Sequence, residues 1–227
     1  MAQFLCEMHA HTSETSRCAN VKAQSVIEEH IKAGYNGIVI TDHYSTSTYE
    51  RYEENELTPK ERVDVFLEGY RSALEAAKGR IQVFLGMELR FDQPNDINDY
   101  LVYGVTEKFL YENTDILNMT LRDFSKLAHE NKMIIFQAHP FRVGMKIVNP
   151  KYLNGVEVYN GNPRHDSSNT LAEMWANKHG LLKSSGSDYH EFEDLARGGI
   201  FFNKEISDNR ELVRALLSED YTLRKTK

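Results

Sequence analysis

Cysteine is nearly missing from this chain: Cys6 and Cys18 are the only two in 227 residues. Two thiols cannot build a disulfide scaffold, so reduced cysteines and a cytoplasmic setting are expected. No window approaches the roughly 18 apolar residues a membrane helix needs. The N-terminal run from Met1 to Cys6 reaches Glu7 and His9 too soon for an export signal. A basic excess is also lacking. Lys and Arg number 27 against 34 Asp and Glu, for a net charge of −7. That balance provides no basic footprint for a nucleic-acid backbone, although a bound metal can reverse the sign of a cleft locally. The glycine fingerprint of a dinucleotide site is absent as well.

Apolar residues and histidine are plentiful by contrast. Hydrophobic side chains make up 41% of the chain and nine residues are histidine. Five prolines and thirteen glycines are spread as punctuation, with no repeat, low-complexity tract or linker, so residues 1–227 read as one domain. Short apolar runs predict strands at 4–8, 37–41, 81–85, 100–103, 133–136, 156–159, 181–183 and 200–202. Amphipathic stretches predict helices at 22–33, 59–78, 121–130, 168–178 and 208–217. Gly34 is placed as a left-handed cap after the first. Thr58, Pro59 and Glu61 spell a capping box for the second, with Val65, Phe66, Tyr70, Leu74 and Ala77 turned inward. Near-continuously apolar strands alternating with helices argue for a parallel sheet covered on both faces, in a compact α/β barrel.

The histidines fall into two groups. His30, His129 and His179 lie near helix ends, where a cation suits the helix dipole. His165 sits in a polar loop, in reach of a substrate. His9 and His11 follow the first strand as H-x-H, a spacing that puts both rings on one side of an extended segment. His43 ends Thr41-Asp42-His43, His139 ends Ala138-His139-Pro140, and His190 follows Asp188 as D-x-H. The strand at 81–85 delivers Gly86-Met87-Glu88. All lie where strands end at their C-termini, which in a β/α barrel is one rim and the place where active sites are built. The donors are imidazole nitrogens and carboxylate oxygens with no thiolate, a set suited to hydrolytic Zn, Mn or Fe.

Five motifs in order carry a family likeness: Glu7-Met8-His9-Ala10-His11, Thr41-Asp42-His43, Gly86-Met87-Glu88, Ala138-His139-Pro140 and Ser187-Asp188-Tyr189-His190. Together they resemble the PHP (polymerase and histidinol phosphatase) domain family across nearly the whole chain. The resemblance implies a distorted (β/α)7 barrel that binds two or three divalent metals and hydrolyses phosphoesters. It implies that His9, His11, Glu88 and Asp188 hold a first metal, that Glu88 bridges to a second shared with His139, and that His43 and His190 serve a third. Two departures bear on occupancy. Ser16 and Arg17 stand where relatives carry a third-site ligand, unless Glu14 substitutes. No histidine falls between His43 and His129 to serve the second metal, for which Thr106 or Glu107 is the replacement offered. Two metals are therefore expected, with three as the alternative.

The function so implied is hydrolysis of a small phosphate ester (histidinol phosphate-like, nucleotide or sugar phosphate) by metal-bound hydroxide. Arg142 is the leading phosphate clamp, or else an arginine paired to a rim carboxylate. Arg197 is a weaker clamp. Arg17 either supplies the positive charge of a missing third metal or points to solvent. Tyr44, Tyr159, Tyr189 and Arg164 are candidates to line the pocket. No general acid or base is assigned. Rival readings are an amidohydrolase acting on C–N bonds and a non-catalytic metal-binding regulatory module. The acidic balance disfavours a nuclease, and oligomeric state is not legible.

Overall fold

A computed structural model describes residues 3–53, 56–94 and 97–226; Met1 and Ala2, part of the run read against an export signal, lie outside them. In chain order the elements are β1 (Phe4–Ala10), α1 (Ala23–Lys32), β2 (Gly37–Ile40), β3 (His43–Tyr44), α2 (Pro59–Ala77), β4 (Gln82–Leu89), β5 (Tyr100–Tyr103) and α3 (Glu107–Glu112). Then follow α4 (Leu121–Glu130), β6 (Ile134–Gln137), β7 (Gly155–Asn160), α5 (Asn169–His179), β8 (Leu182–Gly186), β9 (Ile200–Phe202), α6 (Asn209–Ser218) and β10 (Tyr221–Leu223).

The strands form one sheet in the order β10-β9-β1-β2-β4-β5-β6-β7-β8, with β3 beside β4. The sheet curls until β8 lies next to β1, and a parallel bridge from Ala10 to Tyr189 joins them at the rim. An α/β barrel, nearly closed, is thus what the chain builds. Its interior is filled by Cys6, Met8, Phe84, Leu101, Tyr103 and Phe136. Helices α1 and α2 cover β1 and β2 through Val26, Ile27 and Ala73. Phe66, Phe124 and Ala172 cover the other side.

The expectation of a parallel sheet fails within the wall at β5 and at its edge at β9. β5 runs antiparallel to both β4 and β6, because the chain turns back after β4 without a crossover helix. The consequence is local but important: the N-terminus of β5, not its C-terminus, reaches the rim. β9 and β10 are antiparallel additions at the edge of β1.

Two local expectations meet different fates in α2. Thr58 accepts from the Glu61 backbone while the Glu61 side chain accepts from the Thr58 backbone, so the capping box is present. Leu74, read as inward, is instead 43% exposed, since the helix presents Ala73 and Ala77 to the sheet. Gly34 takes the left-handed conformation one residue past the cap of α1 (φ +82°). No helix among the described residues is long and apolar enough to cross a membrane.

Candidate metal centre

The barrel's rim gathers the chemistry-bearing side chains by ending each strand at one of them. β1 carries His9 in its last turn of pleat and hands the chain to His11, helped by a bulge that shifts the register between Glu7 and Ala10. β3 presents His43 beside Glu88 of β4. β6 ends before His139, and β8 ends before Asp188. His139 and Asp188 both sit at positive φ, +28° and +51°, conformations that cost energy for residues with a Cβ and that mark a site where geometry overrides comfort. Gly186 must lack a side chain, because a Cβ there would stand 2.4 Å from the His9 Cβ.

Glu88 is the hub. Its Oε1 lies 3.0 Å from His139 Nε2 and 3.4 Å from His9 Nε2, and its Oε2 lies 3.2 Å from His11 Nε2 and 3.1 Å from His43 Nδ1. Asp188 Oδ1 is 3.3 Å from His9 Nε2 and 3.6 Å from His11 Nε2, and 3.4 Å from His190 Nδ1. Among the described residues, three trios have donors close enough for one ion each: His9, His11 and Asp188; Glu88, Asp99 and His139; His11, His43 and His190.

Whether a cation fits can be judged from the tautomers. His9 Nδ1 lies 2.9 Å from Glu157 Oε1, an acceptor, so Nδ1 carries the proton. His11 Nδ1 lies 3.0 Å from Ser16 Oγ, whose own proton goes to Asp42. Each Nε2 therefore presents a lone pair, and the two face each other at 3.1 Å with Glu88 and Asp188 oxygens around them. Four acceptors converging in a buried pocket repel unless positive charge sits among them. His139 Nδ1 is buried without a hydrogen-bond partner. The donor set fits divalent metal ions.

The electrostatics agree. Burial alone would depress His9, but Asp188, Glu157 and Glu88 carry it well above its ordinary range. His11 is likewise pushed up to about 9 against the pull of burial, by hydrogen bonds to Asp188 and Glu88. Burial would raise Glu88, yet His9 and His43 hold it well below the usual carboxylate range. Without a metal, protons take over the same task.

Asp99, which sequence reasoning missed, stands at the rim because β5 is antiparallel; its Oδ2 is 4.0 Å from His139 Nε2. Thr106 caps α3 at the far end, and Glu107 pairs with Arg71, so neither approaches the cluster. Glu14 accepts from the backbone at Ala23. Arg142 places Nη2 2.7 Å from Asp188 Oδ2 and lines the cleft, while Arg197 donates to the Glu193 carbonyl and does not line it. Arg17 turns its half-exposed guanidinium to Glu50. Tyr44 and Tyr189 are core residues, and Tyr159 donates to the carbonyl of Thr226. His30 is no surface cation: it is buried against Tyr35 and Tyr189 and driven down to about 4 by burial. Cys6 and Cys18 are free. The cleft above the cluster, about 270 Å³, is also lined by Arg90, Arg164 and His165.

Comparison with known proteins gives a consistent fold. The sequence matches the PHP domain over residues 7–220. A two-domain protein containing a predicted PHP-like metal-dependent phosphoesterase, from Bacteroides vulgatus, aligns at a TM-score of 0.70 and 14% identity, over 99% of this chain and 65% of that one. An amidohydrolase from Chromobacterium violaceum, solved with sulfate and no metal, aligns at 0.58 and 14% identity over 96% and 97%. A lesion-specific endonuclease from Pyrococcus furiosus aligns at 0.64 and 14% identity over 97% and 57%. The chain thus spans about two thirds or less of the first and last of these. No curated protein matches the sequence.

Proposed function

The chain belongs to the PHP domain family, and from that premise we propose that it is a metal-dependent phosphoesterase acting on a small phosphate ester. The observation that carries this reading is the position of Glu88, with one oxygen toward His139 and the other toward His11 and His43. A carboxylate so placed would serve two adjacent cation positions. His9, His11, Glu88 and Asp188 would hold the first metal, and Glu88, Asp99 and His139 the second, as Zn, Mn or Fe. His43 and His190 stand at an outer position. When bound, such a pair neutralises phosphate oxygens and makes water a competent nucleophile at neutral pH.

The chain's own residues do the rest. Glu157 and Ser16 hold the Nδ1 protons of His9 and His11, which keeps both Nε2 lone pairs aimed inward. Arg142 pins Asp188 Oδ2, leaving Oδ1 to the imidazoles. Arg90 instead forks both oxygens of Asp99, Nε to Oδ1 at 2.8 Å and Nη2 to Oδ2 at 2.7 Å. These guanidinium groups, with Arg164, line the cleft and give an incoming dianion a cationic wall. His165 is held below its ordinary range by burial and by Arg142, so at neutral pH it offers a hydrogen bond rather than a charge. The cleft's size suits a monoester of a small alcohol, sugar or nucleoside. No lysine lines it among the described residues, which leaves C–N hydrolysis as the second reading.

A panel tests the reading: metal-loaded protein with p-nitrophenyl phosphate, histidinol phosphate, sugar phosphates, nucleotides, a single-stranded oligonucleotide and a cyclic amide. Phosphate release from the small esters is expected. Turnover of the amide or the oligonucleotide alone would replace the substrate class. Protein that binds metal and turns over nothing would be a regulatory module. Asp99→Asn should lower the metal content by one equivalent, read by elemental analysis.

A further inference from the structure

The third trio of donors has a neighbour that its residue types did not announce. Cys18 Sγ lies 3.2 Å from His190 Nε2. His190 Nδ1 lies 2.9 Å from the Asp188 carbonyl oxygen, which can only accept, so Nδ1 holds the ring proton and Nε2 is a lone pair. The thiol hydrogen is then the one available to bridge sulfur and nitrogen, donated by Sγ to Nε2. His43 lines the same two clefts as Cys18 and stands across from His190, their ring centres 6.1 Å apart. Arg17, the preceding residue, has turned its guanidinium away to Glu50. The sulfur, not the guanidinium, therefore faces His190.

We propose that Cys18 is a thiolate ligand, joining His43 and His190 at the outer cation position. The proposal rests on the metal-dependent reading above and adds a soft donor to it. Binding exchanges one proton for one cation: the S–H bond breaks, the proton leaves to solvent, and the sulfur and the His190 Nε2 lone pair both turn to the ion. With metal–nitrogen and metal–sulfur bonds of about 2.0 and 2.3 Å, a tetrahedral ion separates its N and S donors by about 3.5 Å. The observed 3.2 Å between Sγ and His190 Nε2 lies close to that separation, and coordination would also draw the sulfur toward His43. The position is otherwise unlike the inner two. Those offer nitrogen and oxygen, acceptable to Mn, whereas a thiolate with two imidazoles favours Zn or another thiophilic ion. Cys18 would thereby bias which metal completes the rim.

Cobalt(II) titration of the full chain reads this directly, because a thiolate ligand adds a sulfur-to-cobalt charge-transfer band in the near ultraviolet that nitrogen and oxygen ligands do not. Expected is a band that grows with the last equivalent and is lost in Cys18→Ser, while the weaker ligand-field bands of the inner ions persist. Cobalt bound with no charge-transfer band, or a band that survives in Cys18→Ser, overturns the proposal and leaves the phosphoesterase reading standing. No cobalt bound at all overturns both. A second measurement needs no variant: zinc should slow alkylation of Cys18 by iodoacetamide about tenfold or more, since a coordinated thiolate is a poorer and less accessible nucleophile. Equal alkylation rates, with zinc shown to be bound, would also reject it.

Discussion

Two layers of buried carboxylates occupy the same end of the barrel, and they are built differently. In the lower layer, Glu7 Oε1 accepts from the backbones of Met8, His9 and Ser187 at 3.0, 3.1 and 2.8 Å, and Oε2 accepts from Ser187 Oγ. Asp42 is saturated in the same way by the Thr12 backbone, the Thr12 hydroxyl and Ser16 Oγ, at 2.7, 2.6 and 2.7 Å. In the upper layer, Glu88 and Asp188 face imidazole nitrogens instead. Burial raises Glu7 and Asp42 above the ordinary carboxylate range, while imidazoles, with Arg142 for Asp188, hold the other two well below it. A carboxylate whose oxygens are filled by fixed neutral donors shapes the rim. One whose oxygens face lone pairs waits for a cation. Motif membership does not separate them: Glu7 stands two residues from His9, and Asp42 directly precedes His43.

The largest expected effect breaks the upper layer. Glu88→Gln should cost both metals and lower kcat/KM on the best ester by about 10³-fold or more, as losing several kcal/mol of charge stabilisation implies. The fold should survive, with a thermal midpoint at or above that of metal-free wild type. A Gln variant that keeps its metals would put Glu88 in the lower layer. The converse change is Asp42→Ala, which strands three buried donors. It should reduce stability by about 3–5 kcal/mol in a urea titration while the folded fraction still binds metal. Normal stability with lost metal would invert the comparison.

His30 sharpens the contrast between buried imidazoles. It packs below the rim with Nδ1 on the Val26 carbonyl, Glu7 3.9 Å away and Tyr35 and Tyr189 against its ring. Burial, against small opposing effects of that hydrogen bond and of Glu29, holds it near 4. The unfolded chain binds a proton at about pH 6.5 that the folded chain refuses until about pH 4. This contribution to stability is therefore whole above about pH 6.5 and is lost as pH falls toward 4. Relative to His30→Leu, wild type should lose about 2 kcal/mol between pH 7 and pH 5, read by denaturant midpoints. A pH-independent difference would mean that folding leaves the His30 imidazole titrating as it does in the unfolded chain. The smallest effect is expected at Arg17. Its exposed pair with Glu50 is of the kind worth under about 1 kcal/mol. Arg17→Ala should leave kcat within about twofold, far from the loss expected of an electrostatic stabiliser.

The one-dimensional pattern determined a good deal by itself. Alternating apolar runs and helices, with H-x-H, TDH, GME, AHP and D-x-H each at or just past the C-terminal end of a strand, specify an α/β barrel and which histidines meet. A strand is a straight rod, and the residue at its end must appear at the rim. The capping box of α2 was legible for a similar reason, since three residues contain the whole interaction. Tertiary structure alone decided the rest. The direction of β5 is set by the path of the chain between Leu89 and Tyr100, not by the composition of Tyr100-Leu101-Val102-Tyr103. Reversing it exchanged Thr106 and Glu107 for Asp99 at the rim. Whether Glu7 or Glu88 faces the imidazoles depends on where Ser187, 180 residues from Glu7, sets its backbone and hydroxyl. That Cys18 rather than Arg17 meets His190 depends on a loop folding across a barrel seam. Contacts between distant segments are created by closure of the barrel, and no local pattern encodes which side chain a closing seam will bring within reach.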